Sequence, residues 1–209
     1  MTDAMQHDRS NAISLAVWDV PMPVVAGEKF PIKVGVKSAS GRSLTGGRVE
    51  VSDDAGTVVT SGTLGDKPWP ETEALYWAAL DVPAPAQQQF AEYAVRFIPD
   101  SDEPAHDAVA SRFSVAATAK PEHKLTVKVT EQATAAALEG VEIRLGSFRA
   151  RTNTAGRAEL RVCKGEYQLQ LCRTAHIAPP KPINIVGDTS VELTMVHVPE
   201  DHPDARWVR

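Results

Sequence analysis

Alternation of apolar and polar residues dominates the chain and predicts short β-strands. A period of two places one face of a strand in a core and the other face in solvent. In the first half of the sequence, turn-forming residues separate about seven such runs, a number typical of an immunoglobulin-like β-sandwich. These runs lie at residues 13–18, 30–36, 49–51, 58–59, 75–80, 90–97 and 109–115.

The second half contains three further alternating runs within residues 138–171. Their apolar positions are Val141, Ile143 and Leu145, then Ala158, Leu160 and Val162, and then Tyr167, Leu169 and Leu171. Residues 153–156 and 164–166 have the composition of turns. We expect the second and third runs to form a hairpin in which Val162 faces Tyr167. That register separates Cys163 from Cys172 too far for a disulfide, and two thiols suit a reducing compartment.

Three short motifs in this half resemble the carboxypeptidase regulatory-like domain, a small transthyretin-like β-sandwich. They are Leu138–Ile143, Thr152–Gly156 and Lys164–Leu169. The resemblance covers about residues 123–196. It implies a second sandwich, and an accessory role more than a catalytic one, since such a fold does not itself specify a reaction.

The predicted fold class is therefore all-β, with two tandem immunoglobulin-like or transthyretin-like β-sandwich domains. Small residues and a proline mark the boundary between them. The predicted order is a flexible N-terminus, an immunoglobulin-like sandwich, a linker, a carboxypeptidase regulatory-like sandwich and an extended tail, at residues 1–11, 12–117, 118–122, 123–196 and 197–209.

Charge and hydropathy narrow the classes of partner. The net charge is −5, and acidic and basic residues are interspersed, without a basic block that contains stacking aromatics. This distribution argues against nucleic acid as a partner. No apolar run approaches the length of about 18 residues needed for a membrane helix, and the first residues lack the pattern of a signal peptide. We expect a cytoplasmic protein with no membrane span.

Catalytic motifs are missing from the sequence. It contains no GxSxG, no phosphate-binding loop, and no pair among its six histidines with the usual zinc-ligand spacing. We therefore expect no enzyme, no cofactor and no metal site. Three alternatives stay open: a metal site in the tail, calcium in acidic loops, and an enzyme site across the domains that uses His176 or His197. The ligand types for the first two are His197, Glu200, Asp201, His202 and Asp204 in the tail, and Asp53, Asp54, Asp100, Asp102, Glu103 and Asp107 in the loops.

Aromatic residues near residue 70 are candidates for contact with a partner. Pro68 and Pro70 hold Trp69 in an extended conformation, which suits an anchor presented to another molecule. Tyr76 and Trp77 follow on the next strand, where alternation sends one of the two into the core. The outward ring and Trp69 could together form a platform for a sugar or a protein.

The tail offers a second candidate contact. Trp207 follows Arg206 there, and Trp and Arg dominate the energetics of protein interfaces. This segment could dock on another subunit or fold back on its own chain. We interpret the protein as a non-catalytic binding or assembly module, an accessory subunit of a cytoplasmic complex whose partner is another protein such as an enzyme subunit. Self-association stays open, and the alternative is a carbohydrate- or calcium-binding β-sandwich protein of the cell envelope.

Overall fold

A computed structural model describes residues 12–99 and 110–198, and every regular element in these ranges is a β-strand. The predicted all-β fold class, built from β-sandwiches, is confirmed. Contacts divide the chain into two compact units, Met1–Thr118 and Ala119–Arg209. Within the described ranges, no helix has the length and apolar character to cross a membrane.

The first unit is a sandwich of a three-stranded and a five-stranded sheet, in the orders β1-β3-β6 and β2-β8-β7-β4-β5. All neighbouring strands are antiparallel except β2 and β8, which are parallel. Val34, Val49 and Val95 are fully buried between the sheets. The strands are β1 (Ile13–Trp18), β2 (Val24–Val25), β3 (Lys29–Ser38), β4 (Arg48–Ser52), β5 (Val58–Thr63), β6 (Leu75–Pro83), β7 (Phe90–Ile98) and β8 (Ala110–Thr118).

Tyr93 joins the two sheets of the first unit. Its hydroxyl, on β7, donates a hydrogen bond of 2.8 Å to the carbonyl oxygen of Pro83 at the end of β6. Its ring stacks on Phe113 with the centroids 5.2 Å apart. Burial, followed by the carboxylates of Asp53 and Asp54, raises the pKa of Tyr93 above its usual value. The bond thus links β7 of one sheet to the end of β6 in the other.

The second unit packs two four-stranded sheets, in the orders β11-β10-β13-β15 and β12-β9-β16-β14. Strands β9 and β16 are parallel, and their apolar rows face the core with Val127 and Met195 fully buried. The strands are β9 (His123–Glu131), β10 (Glu142–Leu145), β11 (Phe148–Arg151), β12 (Arg157–Val162), β13 (Gly165–Cys172), β14 (His176–Ile177), β15 (Lys181–Ile185) and β16 (Thr189–His197).

The predicted hairpin between β12 and β13 is wrong. Val162 pairs with His123 on β9, whereas Tyr167 pairs with Ile183 on β15. The chain crosses from one sheet to the other after β12, so the apolar rows of both strands face one core from opposite sides. Alternation specifies which face of a strand is buried, but not which strand lies beside it. Cys163 and Cys172 are both thiols.

Candidate functional site

Two tryptophans lie on the outer face of the three-stranded sheet. Along β1, Val17 packs toward the core, so Trp18 points to the opposite face. Along β6, Tyr76 packs toward the core, and Trp77 therefore points outward. The structure thus resolves which of the neighbouring aromatics faces inward: Tyr76 contributes to the core, and Trp77 remains available at the surface.

Gly35, on the middle strand, provides the space for this arrangement. It pairs with Ala16 on β1 and with Trp77 on β6. A Cβ atom at Gly35 would lie 2.8 and 2.9 Å from two carbons of the Trp18 ring. The indole of Trp18 therefore lies directly over the backbone of β3, and any side chain at this position would displace it.

Trp69 reaches the same face from the loop that precedes β6. Its backbone N–H donates to the carbonyl of Leu75 at 2.7 Å, and the hydroxyl of Thr72 donates to the carbonyl of Trp69 at 2.6 Å. Pro68 forms an isolated bridge with Tyr76. These bonds fold the loop onto the sheet edge and fix the ring of Trp69 above the outer face.

The three indoles form one cluster with a cation above it. Trp69 lies 5.1 Å from Trp18 and 5.0 Å from Trp77 between ring centroids, with interplanar angles of 83° and 85°. Edge-to-face pairs of this kind are favourable beyond the area they bury. The Lys33 Nζ lies 4.9 Å from the Trp69 centroid and 2.6 Å from a carboxylate oxygen of Asp19. We call Trp18, Trp69, Trp77 and Lys33 the tryptophan patch.

The tryptophan patch lies outside the core of its unit. All four side chains are half-buried, and none of the three indoles belongs to the hydrophobic cluster between the sheets. The patch is an apolar surface with one cation, Lys33, which an ion pair with Asp19 holds in place. Such a surface can bind an apolar group.

Replacement of Gly35 by alanine should displace the Trp18 ring and so disrupt the patch without changing any of its residues. We expect a loss of about 1–3 kcal/mol in unfolding free energy, because the new methyl group overlaps the Trp18 ring. Urea unfolding and near-UV circular dichroism would measure both effects. Gly65→Ala is the matched control, since its Cβ would meet only the Trp77 carbonyl at an ordinary 3.5 Å. An unchanged near-UV spectrum for Gly35→Ala would contradict the proposed position of Trp18.

Two of the three indoles of the patch were candidates from the sequence, and the third was missed. Trp69 and Trp77 come together as one surface, whereas Tyr76 faces inward; a contact role for any of them stays a prediction. Trp18 was missed although alternation along residues 13–18 already places it opposite the apolar row. Several other predicted features lie outside the described residues: residues 1–11, Asp100, Asp102, Glu103, Asp107, Glu200, Asp201, His202, Asp204, Arg206 and Trp207.

Turn chemistry explains Asp53, the first residue of the Asp53–Asp54 pair. The Asp53 carboxylate accepts a hydrogen bond of 2.8 Å from the backbone N–H of Thr57. The carbonyl of Asp53 accepts another, of 3.0 Å, from Gly56. This pattern closes the turn between β4 and β5, which accounts for an aspartate at this position without a metal ion.

A group of metal-ligand types lies at one end of the second unit. Glu131, His176 and His197 each offer a ligand atom, and these atoms lie within 4.8 Å of one another. From the sequence, His197 was a candidate ligand only within a metal site of the tail, and His176 or His197 only within an enzyme site across the domains. Glu131 was not recognised, because the three residues are separated along the chain and match no local spacing.

Comparisons with known proteins give no family. No family model matches the chain, and no curated protein matches it. Among solved structures, the Bacillus anthracis TIE protein is 12% identical, with 89% of this chain and 41% of that one covered and a TM-score of 0.31. The chain thus spans 41% of the length of that protein.

Two further solved structures are similar in the same range. BcpA, the major pilin subunit of Bacillus cereus, is 11% identical over 90% of this chain and 70% of the pilin, with a TM-score of 0.32. A conjugative transposon lipoprotein from Bacteroides eggerthii is 16% identical over 49% of this chain and 95% of the lipoprotein, with a TM-score of 0.27. Similarity at these TM-scores carries no argument about function.

Proposed function

We propose that the chain is a non-catalytic binding or assembly module whose first unit contacts another protein through the tryptophan patch. The observation that carries this proposal is the position of three half-exposed indoles on the outer face of one sheet, outside the core. Tryptophan is enriched among the few residues that dominate binding energy at protein interfaces. The core between the sheets does not require these rings.

The patch is ordered before any partner arrives. Hydrogen bonds hold the Trp69 loop, and Asp19 holds Lys33 over the Trp69 ring. A partner that packs an apolar side chain against these rings would order few additional groups. Preorganisation of this kind lowers the entropic cost of association.

The neighbouring strand edge suggests how a partner would approach. Trp18 ends β1, and among the described strands β1 pairs only with β3. Its sequence, ISLAVW, contains neither a charged residue nor a proline, the features that usually protect an edge. An extended segment of the partner could add beside β1 and place alternate side chains against the patch.

The geometry favours a protein over a carbohydrate. The Trp69 ring stands nearly perpendicular to Trp18 and to Trp77, at 83° and 85°. The rings of Trp69 and Trp77 therefore do not form one flat platform on which a sugar ring could stack. A cytoplasmic accessory subunit is the specific form of this proposal, and a carbohydrate- or calcium-binding β-sandwich protein of the cell envelope is the alternative that the experiment must separate from it.

Site-specific photocrosslinking would test the patch directly. A photoreactive amino acid at Ala79 would be exposed on the outer face of β6, two residues from Trp77. We expect it to capture one stoichiometric protein in the native cell extract. The same probe at exposed Glu159, in the second unit, should not capture that protein. A glycan array on the purified chain would identify the alternative ligand if no protein is captured.

Truncation of Trp69 should abolish the interaction. We expect Trp69→Ala to weaken binding of the captured partner at least about 10-fold, because it removes the central ring of the patch. Phe90→Ala is the matched control, since Phe90 is an aromatic residue with 79% exposure on the other sheet. Isothermal titration with the purified partner would measure both. Equal losses in the two variants, or none in Trp69→Ala, would refute the proposal.

A further inference from the structure

We propose that Glu131, His176 and His197 form a binding site for one divalent transition-metal ion in the second unit. The site is independent of the tryptophan patch, which belongs to the first unit. Strand pairing brings the three residues together: His176 on β14 lies opposite His197 on β16, and Glu131 on β9 lies beside Met195 in the parallel pair. Three segments distant in sequence thus converge at one end of a sheet.

Periodicity directs two of these side chains to the same side of the sheet. Glu131 lies two residues beyond Val129, and His197 lies two residues beyond Met195; Val129 and Met195 are both fully buried. Glu131 and His197 therefore continue the core-facing rows of β9 and β16 at the point where the core ends. Glu131 is half-buried and His197 is exposed, so the group lies at the rim where an ion can enter.

The distances are close to those that a metal requires. The three ligand atoms lie within 4.8 Å of one another, and the rings of His176 and His197 have centroids 5.0 Å apart. A tetrahedral ion with bonds of about 2.0–2.1 Å holds its ligand atoms about 3.4 Å apart. Rotation about side-chain bonds, above all those of the exposed His197, would close this difference when an ion binds.

Outer hydrogen bonds already orient two of the ligands. The Nδ1 of His176 lies 2.9 Å from the carbonyl oxygen of Thr174. A carbonyl only accepts, so a neutral His176 ring that makes this bond has its proton on Nδ1 and its lone pair on Nε2, where a metal could bind. One carboxylate oxygen of Glu131 accepts from the hydroxyl of Thr134, which leaves the other oxygen available. Such outer partners are typical of metal ligands in proteins.

The backbone around His176 holds its ring next to β16. Arg173 and His176 bridge a tight turn in which Ala175 has a φ of +56°. The N–H of Val198 donates to the carbonyl of Ala175 at 2.9 Å. A non-glycine residue in the left-handed region is uncommon and often accompanies a functional site. Here it allows the two-residue strand β14 to place His176 opposite His197.

The ligand types select the class of ion. Two imidazoles and one carboxylate suit Zn²⁺, Co²⁺, Ni²⁺ or Cu²⁺, whereas Ca²⁺ and Mg²⁺ prefer oxygen ligands. Three protein ligands leave at least one position of a four-coordinate ion for water or an external ligand. Zn²⁺ and Co²⁺ are the appropriate probes, because Co²⁺ in a four-coordinate site has intense visible absorption.

The full-length chain, titrated with Zn²⁺ by calorimetry after removal of bound metal, should bind one ion at this site. We expect His176→Ala, His197→Ala and Glu131→Gln each to weaken that binding at least about 100-fold, since loss of an outer partner alone costs 10–100-fold. The matched control is His123→Ala, at the opposite end of β9, which should not change the affinity. Co²⁺ should give four-coordinate absorption that disappears in the same three variants.

The Zn²⁺ affinities of these variants distinguish the proposed site from adventitious metal binding. Unchanged Zn²⁺ affinity in the three variants, or an equal loss in His123→Ala, would overturn the proposal. If His176→Ala impairs folding of the metal-free chain, Glu131→Gln decides the question, because glutamine has nearly the volume of glutamate but lacks its charge. Trp69→Ala should leave Zn²⁺ binding unaltered, so failure of the metal site and failure of the proposed protein contact are distinguishable.

Discussion

Replacement of Thr152 by valine should destabilise the second unit by about 2–4 kcal/mol, although the two side chains have nearly the same volume. Thr152 has only 4% exposure. Its hydroxyl donates to the carbonyl of Leu138 at 2.6 Å and accepts from the N–H of Val141 at 2.9 Å. Valine leaves both backbone groups without this partner, and each buried polar group that loses its hydrogen bond costs about 1–3 kcal/mol.

Urea unfolding followed by far-UV circular dichroism would measure this loss. Thr152→Ser is the control, because it retains the hydroxyl and removes one methyl group, at a cost of about 1 kcal/mol. Hydrogen exchange at the Val141 amide should accelerate in the valine variant and remain slow in the serine variant. A valine variant within about 0.5 kcal/mol of the parent would show that the hydroxyl contributes little net stability.

The hydrogen bonds of Thr152 also explain why the Thr152–Gly156 motif begins with a threonine. Besides the two side-chain bonds, its backbone carbonyl accepts from Gly140 and its N–H donates to Val141. One residue after β11 therefore ties down the segment that leads into β10. A threonine in this place follows from its bonds, whether or not the chain belongs to the carboxypeptidase regulatory-like family that the motif resembles.

Strand positions were predictable because alternation is a local property. The apolar rows at Ile143 and Leu160, for example, are buried as expected. Strand pairing was harder to predict from the sequence, because β12 and β13 are consecutive in the chain yet belong to different sheets. Nothing in the local sequence of Val162 indicates that His123, on the far strand β9, is its partner. A short connection with turn composition fits a crossing between sheets as well as a hairpin.

The candidate sites could be predicted only in part from the sequence, because they too depend on strand pairing. Trp69 and Trp77 are close in sequence and were grouped, but Trp18 joins them only through the β1–β3–β6 pairing and the space left by Gly35. The metal-ligand group depends entirely on such long-range pairing. A metal motif on one helix or loop has a fixed spacing, whereas His176 and His197 face each other through strand register.

Replacement of Gly156 by alanine should cost about 3 kcal/mol, clearly more than the same change at Gly56. The two glycines occupy equivalent turns, which begin at Asp53 and Asn153. In each turn the side chain of this first residue accepts a hydrogen bond from the N–H four residues later, and its backbone carbonyl accepts one from the N–H of the glycine. Both glycines have a left-handed backbone, with φ of +80° at Gly56 and +69° at Gly156. Alanine in this conformation costs about 1–2 kcal/mol at either position.

The surroundings distinguish the two positions. A Cβ atom at Gly156 would lie 2.5 Å from the carbonyl oxygen of Val129, while one at Gly56 would meet nothing within 4 Å. The Gly156 carbonyl also accepts from the Val129 N–H at 2.8 Å, so the two backbones cannot separate without loss of that bond. The overlap should add about 1–3 kcal/mol at Gly156 alone. Urea unfolding of the two alanine variants would measure the difference, and equal losses would mean that backbone conformation, and not the contact with β9, requires glycine in these turns.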